Sequence, residues 1–167
     1  MATPTALPAT FVASTVLPAS DLNLLRGSFR ILQVLMASSA TSTTNTTSTF
    51  ADTTLTLAIT PQYSSSKVLV MISQNGCYKT NGNSENRMNI RLMRDATNIA
   101  KVSGDLFLYT NTAQGNGGAA SISLLDSPAT TSAVTYKTQF MNPQNVSGVI
   151  VQEGSANSTI VLLEVSA

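Results

Sequence analysis

The sequence predicts an all-β protein: an antiparallel β-sandwich of jelly-roll type, preceded by an extended N-terminal arm and one short helical turn. Short segments of alternating apolar and polar residues recur from Phe29 to the last residues, with turn-forming residues between them. Ser, Thr and Asn fill the polar positions. Only 10% of the 167 residues are charged, against roughly 25% in ordinary domains.

The chain length favours one domain with an appended segment. We assign residues 1–27 to the arm and helical turn, and residues 28–167 to the sandwich body. Three of the six prolines fall among Ala and Thr in the first 18 residues, a composition that favours extended backbone and cannot build its own core. Ser20, Asp21 and Gly27 provide the caps of a single helical turn.

The apolar residues of this arm need burial against something else. We therefore predict that they anchor the chain to a larger particle. These anchoring residues are Phe11, Val12, Val16 and Leu17.

The body begins with residues 29–36, which are apolar in both phases of a strand, although the period alone also allows a short buried helix. The Ser- and Thr-rich tract 38–49 predicts a surface loop or frayed strand. The remaining predicted strands lie near residues 54–60, 67–73, 88–92, 99–102, 106–109, 122–124, 134–140, 149–151 and 160–165. The Gly-rich segment 114–118 predicts a loop.

The apolar phase of these strands predicts the interior of the sandwich. The predicted core residues are Leu55, Leu57, Ile59, Leu69, Ile90, Leu92, Ile122, Leu124, Tyr136, Phe140, Ile150 and Leu162.

The first and last strands of the body carry apolar side chains on both faces, which is more than one sheet face can bury. This excess predicts self-association, and we expect a homotrimer. The predicted subunit-interface residues are Phe29, Ile31, Leu35, Val161, Leu163 and Val165.

The chain is poor in the residue types on which most catalytic mechanisms depend, and we expect no enzymatic activity. The chain has no histidine to act as a base or zinc ligand, and its single cysteine, Cys77, is expected to be a buried thiol. The eight acidic residues are widely spread, and no calcium-binding loop pattern appears. We predict no catalytic residue, no metal site and no cofactor.

Charge and hydropathy also restrict the partners. The net charge is +1 and the nine basic residues are scattered, so we predict no nucleic-acid partner. Their one local cluster predicts a solvated sheet face holding Arg87 and Arg91, with Arg94 on the opposite face. The apolar runs are too short to span a bilayer, so membrane insertion is not expected either.

Two tyrosines adjoin Asn-rich loops, a composition common at carbohydrate- or protein-contact surfaces. The possible receptor-contact residues are Tyr78, Asn81, Asn83, Tyr109, Asn111 and Asn116. An alternative function is therefore that of a lectin-like module that binds a host glycan.

Several segments resemble small structural proteins of tailed bacteriophages. The join of arm and body at residues 17–34 resembles the start of such proteins, and the segments Ser66 to Val70, Leu125 to Gln139 and Ser158 to Glu164 resemble their β-rich body. The resemblance implies a jelly-roll-like body, often trimeric, displayed by its arm on a virion assembled in the host cytoplasm. Head decoration, a head fibre and a short tail fibre are the positions that it allows.

Overall fold

The computed structural model of the protein describes residues 30–166, so the predicted arm, its helical turn and Phe29 lie outside the described residues. Residues 30–166 form ten strands and one short 3-10 turn at Glu153–Ser155. The strands are β1 (Ile31–Ser39), β2 (Thr43–Asn45), β3 (Ala51–Ile59), β4 (Lys67–Lys79), β5 (Asn89–Arg94), β6 (Thr97–Lys101), β7 (Asn116–Asp126), β8 (Val134–Met141), β9 (Val149–Val151) and β10 (Ser158–Val165).

The strands pair antiparallel in two sheets. The larger sheet has the order β1-β10-β4-β9-β2, with β7 on the other edge of β4, and the smaller has the order β3-β8-β5-β6. Without the short strands β2 and β9, the two orders are β1-β10-β4-β7 and β3-β8-β5-β6. This interleaving of eight strands between two sheets is the double Greek key of a jelly roll. The predicted fold class is therefore confirmed.

The long strand β4 pairs with two different strands along one of its edges. Residues Lys67–Ser73 pair with β10, whereas Tyr78 and Lys79 pair with β9. Between these stretches a bulge places Gly76 at a φ of +58°, where an added Cβ would lie 2.6 Å from the backbone nitrogen of Glu153. Glycine is therefore required here both for its backbone conformation and for space.

The interior consists of two apolar clusters. The larger contains Leu55, Ile59, Val68, Val70, Ile72, Leu92, Val134, Tyr136, Ile160 and Leu162. The smaller contains Cys77, Met88, Ile90, Leu108, Ala120, Phe140, Val149 and Val151.

A buried chain of polar side chains connects the two sheets beside these clusters. The hydroxyls of Thr53 and Thr138 lie 2.5 Å apart, and Thr138 also donates to Gln74 Oε1 at 2.9 Å. Gln74 Nε2 in turn donates to Ser158 Oγ at 3.1 Å. Because each of these side chains is fully buried, the hydrogen bonds offset the cost of removing the polar groups from water.

Most of the core prediction is confirmed. Seven of the predicted residues are fully buried, namely Leu55, Ile59, Ile90, Leu92, Tyr136, Phe140 and Leu162. Leu57, Ile122 and Leu124 are half-buried and pack against the larger cluster. Leu69 and Ile150 were assigned to the wrong phase. In their strands the inward positions belong to the alternating, fully buried residues Val68 and Val70, and Val149 and Val151.

Two local predictions also differ from the structure. Residues 106–109 form a turn in which Leu108, at a φ of +67°, buries its side chain in the smaller cluster. The Gly-rich segment 114–118 is a loop only up to Gly115, because β7 begins at Asn116. At residues 116–118 pairing with β4 overrides the local turn signal, whereas at residues 106–109 a short apolar run is buried by a turn rather than by a strand.

The sandwich has two distinct ends. At the end that we call the arm end, the backbones of Arg30 and Ser166 are joined by a hydrogen bond of 2.9 Å, so the segment 1–29 continues from here. The opposite end, which we call the loop end, is made by the loops 80–88, 102–115 and 142–148. Along β4, 13 residues at about 3.3 Å each separate the two ends by about 40 Å.

Candidate functional site

The outward surface of the larger sheet is largely apolar in the rows nearest the arm end, and we call this part the apolar face; the next row toward the loop end carries the hydroxyls of Ser38, Thr159, Ser73 and Ser121. The apolar face is formed by outward side chains of four adjacent strands, β1, β10, β4 and β7. Its members are Ile31, Val34, Met36, Leu69, Met71, Leu125, Val161, Leu163 and Val165.

The strand register makes this face continuous. Val34 pairs with Leu163, Leu163 pairs with Leu69, and Leu69 pairs with Leu125, which gives an apolar row across all four strands. Directly paired residues of antiparallel strands project from the same side of a sheet. A second row starts with Met36, opposite Val161.

Much of the apolar face is exposed to solvent. Ile31, Val34, Met36 and Leu125 each expose more than half of their surface, from 57% to 63%. On the inner strands Leu69, Val161, Leu163 and Val165 are half-buried because their neighbours shield them, whereas Met71 is exposed. A contiguous apolar surface of this kind typically marks an interaction site.

The structure places four of the predicted interface residues on this face: Ile31, Val161, Leu163 and Val165. Phe29 lies outside the described residues. Leu35 was wrongly assigned, because it pairs with Leu162 and its side chain packs against the larger core cluster. No pattern in the sequence marked the other members as interface residues, namely Val34, Met36, Leu69, Met71 and Leu125. Their outward phase became visible only through the register of the four strands.

The outward surface of the smaller sheet is polar. Asp52 accepts hydrogen bonds from Lys137 Nζ at 2.9 Å and from Gln139 Nε2 at 2.7 Å. Arg91 donates to Gln139 Oε1 at 2.9 and 2.7 Å, and its guanidinium lies 3.8 Å from the ring centroid of Phe50. The side chains are thus linked in one row across β3, β8 and β5.

This row also sets the ionisation of Asp52. Partial burial acts to raise the pKa of the carboxyl, but the hydrogen bonds from Gln139 and Lys137 and the positive charge of Lys137 lower it overall. The carboxylate is therefore charged at neutral pH. As predicted, Arg91 and Arg94 lie on opposite faces of β5: Arg91 is on the polar outer surface, whereas Arg94 pairs with the carboxylate of Asp126 at 2.8 Å.

The predicted receptor-contact residues gather at the loop end. The Tyr109 hydroxyl lies 3.1 Å from Asn111 Oδ1 and 3.3 Å from Glu85 Oε1, and the guanidinium of Arg87 lies 5.5 Å from the Tyr109 ring centroid. The pKa of Tyr109 is raised, first by desolvation and then by the neighbouring charge of Glu85. Tyr109 and Asn111 therefore share one cluster with two charged residues.

The other predicted contact residues have structural roles or stand alone. The Tyr78 ring lies over Gly115, where an added Cβ would be 1.8 Å from the phenol oxygen. Asn83 Oδ1 accepts a bond from the backbone N–H of Glu85 at 2.8 Å, and Asn116 Nδ2 donates to the carbonyl of Leu108 at 3.3 Å. Asn81 is exposed.

Hydrogen bonds between loops fix the loop end. Asn86 Nδ2 donates to the carbonyls of Thr80 and Gly148, at 3.1 and 2.8 Å, and Asn142 Nδ2 donates to Asn86 Oδ1 at 2.9 Å. Both asparagines are fully buried. The β4–β5 and β8–β9 loops are therefore held as one unit, and no pattern in the sequence indicated this arrangement.

The groups that could support chemistry are few in the described part of the chain. Cys77 is buried, and burial raises the pKa of its thiol to about 12, so the nucleophilic thiolate is suppressed at neutral pH. Residues 30–166 contain no group of three or more His, Cys, Asp or Glu side chains placed to hold a metal ion. No helix among these residues is long and apolar enough to cross a membrane.

Comparison with protein-family models and with curated proteins finds no match to this chain.

Proposed function

We propose that this chain is a non-enzymatic structural protein of a bacteriophage virion, a surface-displayed trimeric β-knob attached to the particle by its N-terminal arm. The position is a head decoration, a head fibre or a short tail fibre. The observation that carries the proposal is the apolar face, which a solitary knob would leave in water. The virion location and the trimeric state in this proposal rest on the resemblance of the sequence to phage structural proteins.

Self-association explains the apolar face. Fully burying a Val, Leu, Ile or Met side chain stabilises the buried state by about 1.5 to 3 kcal/mol. The face holds nine such side chains on adjacent strands of one rigid sheet. Other copies of the same chain are the partners that we propose, since around a three-fold axis one part of each apolar face can cover a different part of the next.

The arrangement of the two ends supports display on a particle. The segment 1–29 continues from the arm end, while the loop end lies about 40 Å away along β4, at about 3.3 Å per residue. An attachment through the arm therefore directs the Tyr- and Asn-bearing loops outward. Three arms in one trimer also raise the effective concentration of each docking contact, so weak individual contacts give durable attachment.

The test uses the full chain and the particles that carry it. The purified protein is expected to have three times the monomer mass of 17.5 kDa, measured by native mass spectrometry at micromolar concentration. A monomer would overturn self-association, and a dimer would retain the interface but reject the trimer. Absence of the protein from purified virions, measured by quantitative proteomics, would reject the virion role.

Deletion of residues 2–19 tests the anchor separately. We expect the melting temperature of the body to be unchanged and the number of copies per particle to fall severely, because Phe11, Val12, Val16 and Leu17 are removed. Unchanged occupancy would reject the anchor. An unfolded body would show that the arm belongs to the core.

A second candidate function is host attachment by binding a surface glycan. It is favoured by the cluster of Tyr109, Arg87, Glu85 and Asn111 at the outward end. Tyr109→Ala is expected to remove glycan binding by this cluster while leaving the oligomeric mass unchanged.

A further inference from the structure

The polar outer surface of the smaller sheet contains a groove of about 430 Å³ near the arm end. Its floor is β8, one wall is β3, and the turn between β5 and β6 closes the other side. The polar residues that line it are Asp52, Thr54, Thr56, Asp95, Thr135 and Lys137. The volume lies within the range of about 300 to 1,000 Å³ that small-molecule sites have.

A distortion of β3 shapes the groove. Asp52 pairs with Gln139 and Thr56 pairs with Lys137, so the three residues between them, 53–55, lie opposite a single residue of β8. Within this bulge Thr54 has a φ of +68°. A β-branched residue rarely adopts this conformation, and such strain and bulges concentrate where a protein binds or reacts.

The strained segment is held by the rest of the fold. The hydroxyls of Thr54 and of Ser39 on β1 lie 2.7 Å apart, and Thr53 within the same bulge is fixed to Thr138 inside the sandwich. On the other side of the groove, Asp95 Oδ1 accepts a bond from the backbone N–H of Thr135 at 2.8 Å. Both walls are therefore positioned before any ligand binds, which reduces the entropic cost of binding.

The lining selects the chemistry of the ligand. Leu55 is the one apolar residue that contributes to it, and an apolar molecule in the groove would deprive the polar groups of the other lining residues of their hydrogen bonds to water. The three threonine hydroxyls can each accept a hydrogen bond, but that of Thr54 is bonded to Ser39 and that of Thr56 donates to the carbonyl of Tyr136 at 3.4 Å, so Thr135 supplies the hydroxyl donor. Of the two carboxylates, Asp52 is already paired with Lys137, while Asp95 uses one oxygen for Thr135, so its second oxygen can accept a bond from a ligand hydroxyl. Two carboxylates against one ammonium make the groove unfavourable for an anion.

We propose that this groove binds a neutral sugar unit, with Asp95 and Thr135 as its principal polar contacts. The site goes beyond the structural role and lies apart from the loop-end cluster. It also lies on the opposite sheet from the apolar face, so it stays exposed when that face is covered by other copies. A knob built in this way presents its sugar sites on its sides, away from the other copies.

The test is a titration of the ¹⁵N-labelled full chain with D-glucose, D-galactose, D-mannose, L-rhamnose and N-acetyl-D-glucosamine at millimolar concentrations. At least one of these sugars is expected to cause saturable shifts of the amide resonances of Thr56, Asp95 and Thr135. N-acetylneuraminic acid, which is anionic, is expected to cause none. If none of the neutral sugars gives a saturable shift, the proposal is overturned. Shifts confined to Tyr109 and its neighbours would place the site at the loop end and overturn it as well.

Two variants and one control assign the contacts. Asp95→Asn and Thr135→Val are each expected to weaken binding of the sugar found in the titration about tenfold, since each removes one polar contact to the ligand. Asp105→Asn, a matched change at an exposed site outside the groove, is expected to leave the affinity unchanged. Dispersed amide spectra of all three variants would show that they are folded. Unchanged affinity in both groove variants would reject the assignment.

Discussion

The two outer faces of the sandwich follow the same alternation of side chains, yet they differ in chemistry. The larger sheet presents Val34, Met36 and Leu163 to the outside, whereas the smaller presents Asp52, Lys137 and Gln139. Each sheet already buries its inner face in the shared core, so folding of the body does not explain the apolar exterior of only one of them. The proposed association of copies through the larger sheet would account for this difference, with the smaller sheet facing solvent or a polar ligand.

A charge placed on the apolar face should have the strongest effect. Leu163→Asp is expected to convert the proposed trimer to folded monomers, because assembly would bury an unpaired carboxylate in each subunit at a cost of several kcal/mol, on the order of the desolvation penalty. Native mass spectrometry and circular dichroism measure the two properties together. If the variant remained trimeric, the apolar face would be excluded as the subunit interface.

Two matched substitutions serve as controls for this experiment. Ala58→Asp puts the same charge on the exposed outer surface of the smaller sheet and is expected to leave the mass unchanged. Leu35→Asp lies on the same strand as the apolar face but points into the core, so it is expected to unfold the body rather than only dissociate it. If Leu35→Asp gave folded monomers, the assignment of the two faces of β1 would be wrong.

The next effect concerns the contact that ties the sheets together at the arm end. Asp126 on β7 accepts bonds from Arg94 Nη1 on β5, at 2.9 and 2.8 Å, and from the Tyr136 hydroxyl at 2.7 Å. Asp126→Asn leaves a partly buried arginine unpaired. We expect a loss of about 2 to 4 kcal/mol in the free energy of unfolding, measured by urea denaturation, with the oligomeric mass unchanged below the transition.

Alkaline pH acts on the same network. Burial raises the pKa of Tyr136, and its hydrogen bond to Asp126 and the charge of that carboxylate raise it further. Because the folded pKa lies above the unfolded one, this contribution is complete below pH 10 and is lost as the pH rises beyond it. In Tyr136→Phe the alkaline loss should be smaller. An equal alkaline loss in wild type and variant would show that Tyr136 does not contribute.

The smallest effect belongs to the polar face. The lowered pKa of Asp52 means that its contribution is present above its ordinary value of about 3.9 and disappears as the pH falls through the folded value. Since the side chain is 55% exposed, Asp52→Asn is expected to cost less than about 1 kcal/mol at neutral pH. The loss should vanish in acid, and a loss that persisted at low pH would show a role other than charge pairing.

The candidate site was only partly visible in the sequence. The terminal strands carry an excess of apolar residues in both phases, and this excess correctly indicated a second apolar surface that includes Ile31 and Leu163. The sequence did not show which phase of each strand faces outward. Leu35 and Leu69 were assigned to the wrong sides for this reason, because a one-residue change of phase moves a side chain across the sheet.

The all-β class, most of the strands and most of the core could be predicted from the sequence, because strand period and burial are local properties of the chain. The jelly-roll strand order, the continuity of the apolar face and the groove beside Thr54 became visible in the folded structure alone. These features depend on register between strands that are far apart in sequence, as with Val34 and Leu163, or Asp95 and Thr135. Register is fixed when two sheets close over one core, and no local pattern encodes it.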